Sequence, residues 1–188
     1  YMEKRLEEVI KGKKSELLWI LEHNSIYTGG IRSEKKDILN KNIKVIKTNR
    51  GGKITYHGPG QKIIYFVINL NNRKKDTRLL LSTIEKCIIE ILKYYKINSF
   101  SDRKNIGIWV KEKKKIKKIA AIGIKVKKWV AYHGFSINVS NDLKYYKNII
   151  PCGISDKGVT RIKNLTSKNL KNIDKIIKEN LIFSFKKI

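Results

Sequence analysis

The clearest limit on how this chain folds is a glycine-rich segment that lies directly before a continuously apolar one. Residues 50–61 hold four glycines and one proline among twelve residues, and residues 63–68 are apolar throughout. A short apolar run bounded by turn residues predicts a strand that is covered on both faces. Glycines permit close backbone approach and positive φ, so the segment before the strand fits a ligand-binding loop or, more plainly, a glycine-rich turn with a satisfied histidine.

Apolar spacing predicts further elements on both sides of this strand. Helices are predicted at residues 2–12, 77–95 and 169–186, and strands at residues 17–21, 43–46, 106–110, 116–126 and 129–139. Lysines near 112–115 predict the turn of a hairpin. Because no internal repeat or Pro/Ser-rich linker divides the chain, we expect one α/β (α+β) domain over residues 1–188, with a mixed β-sheet flanked by helices.

The chain is strongly basic, with 43 Lys+Arg against 16 Asp+Glu and a formal net charge of +27. Such a surface attracts an acidic partner. Only seven of the basic residues are arginines, whereas readers of nucleic acid rely on arginine forks, and no nucleic-acid-reading motif is present. A basic nucleic-acid-binding module is therefore a distant alternative, and part of the charge reflects a lysine-rich composition.

The two cysteines predict different environments. Cys87 falls on the apolar stripe of the 77–95 helix, which suits a small core residue. Cys152 lies between Pro151 and Gly153 in a predicted loop, so it is the candidate nucleophile, or else an inert loop cysteine. Two cysteines make no disulfide framework and favour a reducing compartment. We expect a cytoplasmic location or, alternatively, an organelle of bacterial origin, and no membrane span.

A third cluster combines small and polar residues in the predicted hairpin. Residues 117–123 carry two lysines followed by Ala120, Ala121 and Gly123, and residues 131–138 carry His133-Gly134. Small side chains in a strand leave room for a long apolar ligand, although they also serve simply to relieve crowding. No histidine or cysteine spacing typical of a metal site occurs, and the glycine-rich segment has neither the P-loop nor the dinucleotide fingerprint.

Taken together and in this order, the three clusters resemble the lipoyl(octanoyl) transferase family, over about residues 17–161. Residues 50–61, with Tyr65 in the next strand, resemble the family signature. Residues 118–123 and 133–138 resemble its second block, and Pro151-Cys152-Gly153 resembles the block that holds its nucleophile. Asn24 departs from the pattern, since it stands where the family usually has proline.

The resemblance implies the fold of biotin- and lipoate-protein ligase catalytic domains and a set of site residues. Cys152 would be the acyl-thioester nucleophile, and Lys118 would lower the thiol pKa and shuttle protons. The implied substrate-binding residues are Arg50, Gly51, Gly52, Lys53, Ile54, Thr55, Tyr56, His57, Ala121, Ile122, Gly123, Gly134, Phe135 and Ser136. The implied supporting residues are His133, Gln61 and Asn138. An acyl tunnel would be lined by the glycine-rich segment with Ala120, Ala121 and Gly123.

The resemblance also implies the reaction and its partners. Octanoyl-acyl carrier protein, an acidic donor, would pass its octanoyl group to Cys152 and then to a specific lysine of a lipoyl domain. The lipoyl domains would be those of 2-oxoacid dehydrogenase E2 subunits or the glycine cleavage H protein. No cofactor, metal or ATP is expected, and we expect a monomer. The enzyme alternatives are an ATP-dependent lipoate- or biotin-protein ligase and an amidotransferase that moves octanoyl between lipoyl domains.

Overall fold

The computed structural model describes residues 1–153 and 157–188, apart from the side chain of Cys152. Within these residues the chain forms three α-helices and ten β-strands. In chain order they are α1 (Met2–Ile10), β1 (Leu17–Leu21), β2 (Ile26–Gly29), β3 (Val45–Lys47), β4 (Ile54–His57), β5 (Gln61–Asn69), α2 (Thr77–Tyr94), β6 (Ser99–Ser101), β7 (Ile108–Glu112), β8 (Lys115–Lys127), β9 (Val130–Asn138), β10 (Gly158–Val159) and α3 (Ile173–Phe185).

Two sheets organise these strands. The larger has the order β1-β5-β9-β8-β7-β6, all antiparallel, and β10 adds to β8 in parallel. The smaller has the order β3-β2-β4, with β2 parallel to β3 and antiparallel to β4. The expected mixed α/β architecture is confirmed. The separate small sheet was not predicted, because β2 and β4 have four residues each and β4 lies inside the segment interpreted as a loop.

Helices cover both faces of the larger sheet, and this explains the continuously apolar strand. Alternate β5 residues such as Ile64 and Phe66 join the main core with α2 and α3, whereas Val67 packs with Leu6 and Val9 of α1. All five side chains are buried. The prediction that residues 63–68 are covered on both faces is therefore confirmed.

Two hairpin turns of the larger sheet are formed by residue pairs that contain lysine. Lys113 and Lys114 have φ values of 47° and 65° between β7 and β8, and Lys128 and Trp129 have 49° and 60° between β8 and β9. Positive φ at both central residues is the requirement of a tight turn whose twist matches that of its strands. The turn predicted near residues 112–115 is thus confirmed.

The three predicted helices are also present, with ends that differ by a few residues. The helix predicted at 169–186 begins later, at Ile173, because residues 171 and 172 form a turn before it. Asp76 caps α2, since its side chain accepts hydrogen bonds from the amides of Arg78 and Leu79. In the ranges that the structure describes, no helix is both long and apolar enough to cross a bilayer.

Candidate active site

A cavity of about 410 Å³ lies between the two sheets. The smaller sheet and its glycine-rich loop contribute one wall, which includes Arg50, Thr55 and His57. Strands β5, β8 and β9 contribute the other wall, which includes Tyr65 and Lys118. The three clusters, which span about a hundred residues of the sequence, therefore meet around one cavity.

Close backbone contact holds the glycine-rich loop against β8. A Cβ atom at Gly51 would lie 2.6 Å from the backbone oxygen of Ile124, and one at Gly123 would lie 3.1 Å from the oxygen of Gly51. No side chain fits at the first position without moving backbone. The two glycines thus let loop and strand approach each other, which fixes the depth of the cavity at this point.

Arg50 organises the loop through backbone acceptors. Its guanidinium donates to the Thr28 oxygen at 2.7 Å, to Thr28 Oγ1 at 2.9 Å and to the Gly51 oxygen at 2.9 Å. These three acceptors are neutral oxygens, and Arg50 itself carries a positive charge. That charge helps to lower the pKa of both His57 and His133.

His57 ends a buried chain of hydrogen bonds. Its Nδ1 lies 2.7 Å from Gln61 Oε1, Gln61 Nε2 donates to Asn138 Oδ1 at 2.8 Å, and Asn138 Nδ2 donates to the Thr160 oxygen at 2.9 Å. Burial, with a smaller contribution from Arg50, lowers the pKa of His57 to about 4. The imidazole is therefore neutral at physiological pH. Gln61 and Asn138 lie behind His57, as expected of supporting residues.

His133 is held from the other side of the cavity. Its Nε2 lies 2.6 Å from Asn49 Oδ1, and Asn49 Nδ2 donates to Glu3 Oε1 at 2.7 Å. Burial first, then the charges of Arg50 and Lys125, lower the pKa of His133 to about 4. Its φ of 70° is unusual for a residue within a strand.

Lys118 brings a buried cation to the cavity wall. Lys118 is only 5% exposed. Its Nζ donates a hydrogen bond to the Ile106 oxygen at 3.0 Å and lies 4.7 Å from the centre of the Trp109 ring. Among the described residues, no carboxylate oxygen lies within 4.0 Å of this ammonium, whereas neighbouring Lys117 pairs with Glu112 at 3.1 Å. The charge of Lys118 is thus available to an anion in the cavity.

The candidate nucleophile lies in a single 3-10 turn, Pro151–Gly153, whose last residue lines the cavity. The turn is anchored by the Ile150 amide, which donates to the Asp37 oxygen at 2.8 Å, and by the Gly153 amide, which donates to the Ile150 oxygen at 3.0 Å. The side chain of Cys152 and residues 154–156 lie outside the described residues.

Lys53 supports this turn from the glycine-rich loop. A Cβ at Gly153, where φ is 71°, would lie 2.5 Å from Lys53 Cδ. The Lys53 ammonium lies 2.5 Å from Glu34 Oε1 and 3.6 Å from Oδ1 of the buried Asp37. Hydrogen bonds from Lys36 and Lys53 lower the pKa of Glu34 to about 2. The implied substrate-binding residue Lys53 is therefore already engaged in ion pairs.

Most of the predicted binding residues line the cavity, and some do not. Those that line it are Arg50, Gly52, Lys53, Thr55, His57, Ala121, Ile122, Gly123, His133, Gly134, Phe135 and Ser136. Gly51, Ile54, Tyr56, Gln61 and Asn138 lie behind this lining. The expectation that Ala120 lines a tunnel is wrong, because Ala120 packs in the main core and is not part of the cavity lining.

The structure adds lining residues that the sequence reasoning missed. They are Met2, Thr28, Arg32, Thr48, Ile63, Lys104, Asn105, Ile106 and Gly153. Ile63 was within reach of prediction, since it shares a face of β5 with Tyr65. Thr28 belongs to the short strand β2, Met2 to α1, and the remaining residues to turns and loops.

Cys87 is a core residue, as predicted. It is 1% exposed within the main core, and burial raises the pKa of its thiol to about 11. A thiol in this state stays protonated and inert at neutral pH.

Comparisons with known proteins show which family the chain matches. The family model described as the lipoyl protein ligase A/B catalytic domain matches residues 1–182. A protein named octanoyltransferase from Wolbachia pipientis subsp. Culex pipiens (strain wPip) is 44% identical over 181 residues, covering 95% of this chain and 88% of its own length. Another so named, from Ehrlichia chaffeensis, is 42% identical over 189 residues, covering 98% and 88%.

Solved structures share the fold at low sequence identity. A lipoate-protein ligase A bound with ATP superposes with a TM-score of 0.74 and 13% identity, covering 96% of this chain and 78% of its own. A putative lipoate protein ligase from T. acidophilum with bound lipoic acid superposes with a TM-score of 0.72 and 14% identity, covering 98% of this chain and 80% of its own. The biotin protein ligase from Aquifex aeolicus in complex with biotin and ATP superposes with a TM-score of 0.54 and 14% identity, covering 85% of this chain and 70% of its own. The expected architecture of the biotin and lipoate ligase domains is confirmed.

Proposed function

The chain belongs to the lipoyl protein ligase A/B catalytic-domain family, and we propose that it moves octanoyl from octanoyl-acyl carrier protein to a lysine of a lipoyl domain through a thioester on Cys152. Octanoyl transfer in protein lipoylation, by an acyltransferase, follows from this membership and from the name that its relatives carry. The donor, the acceptor and the covalent intermediate are the proposed part. We further propose that residues 1–188 act as one catalytic domain, as a monomer, in a cytoplasm.

The observation that carries the proposal is the position of Lys118. Its buried ammonium lines the cavity, and its strand pairs with the chain that follows Cys152: Val159 lies opposite Lys118 in the β8–β10 ladder. A cation close to a thiol stabilises the thiolate and lowers the thiol pKa from its usual value near 8.5. Cys152 and Lys118 are therefore proposed as a nucleophile and its activating cation.

In the first step the Cys152 thiolate attacks the carbonyl carbon of the donor thioester. A bond forms between Sγ and this carbon, and the bond from the carbon to the carrier sulfur breaks. Lys118 passes its proton to the departing sulfur, so the carrier leaves as a thiol and Lys118 becomes neutral. One thioester replaces another, which is why the step needs no ATP.

In the second step the acceptor lysine replaces Cys152. Its ammonium gives one proton to neutral Lys118, and the resulting amine attacks the acyl carbon. A C–N bond forms, the bond to Sγ breaks, and the nitrogen gives its second surplus proton to a base other than Lys118. Cys152 leaves as a thiolate beside the renewed Lys118 ammonium. Conversion of a thioester to an amide is favourable, so the proposed sequence uses no cofactor or metal.

The cavity has the size and lining that an acyl group requires. Small-molecule sites have volumes of roughly 300–1,000 Å³, and this one measures about 410 Å³. Ala121, Ile122 and Phe135 give it an apolar wall, and Gly123 keeps that wall open. We propose that the octanoyl chain lies along this wall.

Two exposed basic residues at the cavity suit an acidic donor. Arg32 and Lys104 are exposed and line it, and neither forms an ion pair with any carboxylate that the structure describes. Electrostatic attraction of this kind weakens as salt is added. We expect the KM for octanoyl-acyl carrier protein to rise with ionic strength; a constant KM would remove surface charge from the proposed donor recognition.

The experiment that tests the function compares three donors. Purified protein and apo lipoyl domain receive octanoyl-acyl carrier protein without ATP, free octanoate with ATP and Mg²⁺, or an octanoylated lipoyl domain without ATP. We expect octanoyl-lysine only from the carrier. Modification that requires ATP would assign a ligase instead, and modification from an octanoylated lipoyl domain alone would assign an amidotransferase.

A further inference from the structure

The proton count of the second step leaves one proton without an acceptor. The acceptor lysine arrives as an ammonium and ends as an amide, so its nitrogen loses two protons. Neutral Lys118 can take one of them, and it is then an ammonium that has no further capacity. A second acceptor has to stand at the cavity if the amide nitrogen is to lose its remaining proton during C–N bond formation. This inference rests on the proposed function.

The hydrogen-bond chain behind His57 determines which nitrogen of this residue can accept. The Thr160 oxygen is a backbone carbonyl and can only accept, so Asn138 Nδ2 is the donor to it at 2.9 Å. Asn138 Oδ1 is then an acceptor, and Gln61 Nε2 is the donor to it at 2.8 Å. Each amide is therefore fixed in one orientation.

The same argument continues to the imidazole. With Nε2 of Gln61 donating, the Oε1 atom of Gln61 is an acceptor, and it lies 2.7 Å from His57 Nδ1. Nδ1 must therefore carry the hydrogen. A neutral imidazole has only one N–H, so the lone pair is on Nε2 of a side chain that lines the cavity.

We propose that His57 is a catalytic proton acceptor for amide formation, with Gln61 and Asn138 as the positioning residues that fix its Nδ1–H tautomer. As the acceptor lysine nitrogen bonds to the octanoyl carbon, its remaining surplus proton passes to His57 Nε2. The C–S bond to Cys152 breaks, and the imidazolium returns the proton to water. A base must be unprotonated when the amine arrives, and His57 is neutral at physiological pH.

His133 is the other histidine at the cavity, and it serves as the matched control. The Asn49 amide that contacts its Nε2 donates to the Glu3 carboxylate, so Nε2 of His133 carries the hydrogen and its Nδ1 has the lone pair. The ring stacks on Tyr132, at 4.7 Å between centroids, and belongs to the opposite wall. Asparagine tolerates the positive φ at this position, so His133→Asn removes the imidazole with little backbone cost.

The test separates the two half-reactions. Wild type, His57→Gln and His133→Asn are first loaded from octanoyl-acyl carrier protein and followed by intact mass, and the isolated acyl-enzyme is then mixed with apo lipoyl domain in a single turnover. We expect His57→Gln to load at close to the wild-type rate and to discharge roughly 10²- to 10⁴-fold more slowly. His133→Asn also removes a cavity imidazole, and its discharge should be slowed less than that of His57→Gln, because the two histidines lie on opposite walls.

Discharge of the acyl-enzyme at equal rates by His57→Gln and wild type would overturn the inference. Slower discharge by His133→Asn alone would overturn it as well. A wild-type protein that never forms the acyl-enzyme would instead overturn the proposed function, so the two failures are distinguishable.

A second variant, Gln61→Glu, keeps the test valid if His57→Gln does not fold. A carboxylate beside Nδ1–H favours the imidazolium, against the opposing charge of Arg50 and the nearby His23. Relative to wild type, discharge by Gln61→Glu should then decline as the pH falls through the neutral range. An unchanged pH profile in a folded Gln61→Glu protein would overturn the role of His57.

Discussion

Val159 pairs in parallel with Lys118, and the amide of the next residue, Thr160, donates to the Lys118 oxygen at 2.9 Å. This two-residue strand returns the chain from the nucleophile-bearing turn to the strand that carries the buried ammonium. The backbone oxygen of Thr160 in turn accepts a hydrogen bond from Asn138 Nδ2. This bond begins the hydrogen-bond chain to His57. One short ladder thus links the three groups to which we assign chemistry.

Replacing Lys118 by methionine should slow formation of the acyl-enzyme. Methionine keeps much of the length and apolar volume of lysine but removes the charge that stabilises the thiolate. We expect the acylation rate near neutral pH to fall by roughly 10²- to 10⁴-fold, with part of the loss recovered at higher pH, where the thiol ionises unaided. The matched control is Lys117→Met, which removes a lysine paired with Glu112. Equal effects of the two variants would contradict the role of Lys118.

Ala121 should set the length of the acyl chain that the cavity accepts. Its side chain lines the cavity beside Gly123, so Ala121→Leu fills space that the octanoyl chain would occupy. We expect kcat/KM for octanoyl-acyl carrier protein to fall and kcat/KM for butanoyl-acyl carrier protein to stay the same. Competition between the two donors measures this. Ala121→Gly is the control, and it should keep or lengthen the preferred chain. A chain-length profile that does not change in Ala121→Leu would place the acyl group elsewhere.

Gly153 should be coupled energetically to Lys53. Alanine at a φ of 71° costs about 1–2 kcal/mol for the left-handed backbone alone, and its Cβ would meet Lys53 Cδ at 2.5 Å. We expect urea unfolding of Gly153→Ala, Lys53→Ala and the double variant to show a coupling free energy of roughly 0.5–3 kcal/mol, because Lys53→Ala relieves the clash but not the backbone strain. Strict additivity would mean that the turn and the ion-paired lysine are independent.

Acid should destabilise the protein through its two buried histidines. The pKa of His57 and that of His133 are each lowered from 6.5 to about 4, mainly by burial. The two histidines therefore bind protons more strongly in the unfolded chain than in the folded protein. Their contribution to the free energy of unfolding is complete above about pH 6.5 and is lost as the pH falls towards 4. Each histidine contributes up to roughly 3 kcal/mol, at 1.36 kcal/mol per unit of pKa.

Urea unfolding at pH 7.5 and at pH 4.5 measures this effect. The difference in unfolding free energy between the two pH values should shrink in His57→Gln and in His133→Asn. A difference of the same size in wild type and both variants would assign the acid sensitivity to other groups.

The sequence predicted the large sheet and its helices well because their residues follow simple periods. Residues 63–68 carry an uninterrupted apolar run, and α2 repeats apolar residues at helical spacing. The small sheet escaped prediction because Ile54–His57 mixes apolar and polar residues over one short strand, all four of them buried. Its burial comes from packing against distant parts of the chain, which no local pattern records.

The candidate site was predictable in its members but not in their roles. Arg50 was implied as a substrate-binding residue, and its guanidinium donates to the backbone oxygens of Gly51 and Thr28. Lys53 was implied as a binding residue, yet it forms ion pairs with Glu34 and Asp37. Thr28, Glu34 and Asp37 are distant in sequence from the residues that they contact, so only the folded structure reveals these contacts.

The central claim is that Cys152 carries the octanoyl group, and intact mass spectrometry after incubation with octanoyl-acyl carrier protein tests it most directly. We predict a hydroxylamine-labile octanoyl adduct on the wild type, none on Cys152→Ala, and loss of the adduct when apo lipoyl domain is added. The same adduct on Cys152→Ala, or octanoyl transfer by that variant at the wild-type rate, would contradict the account.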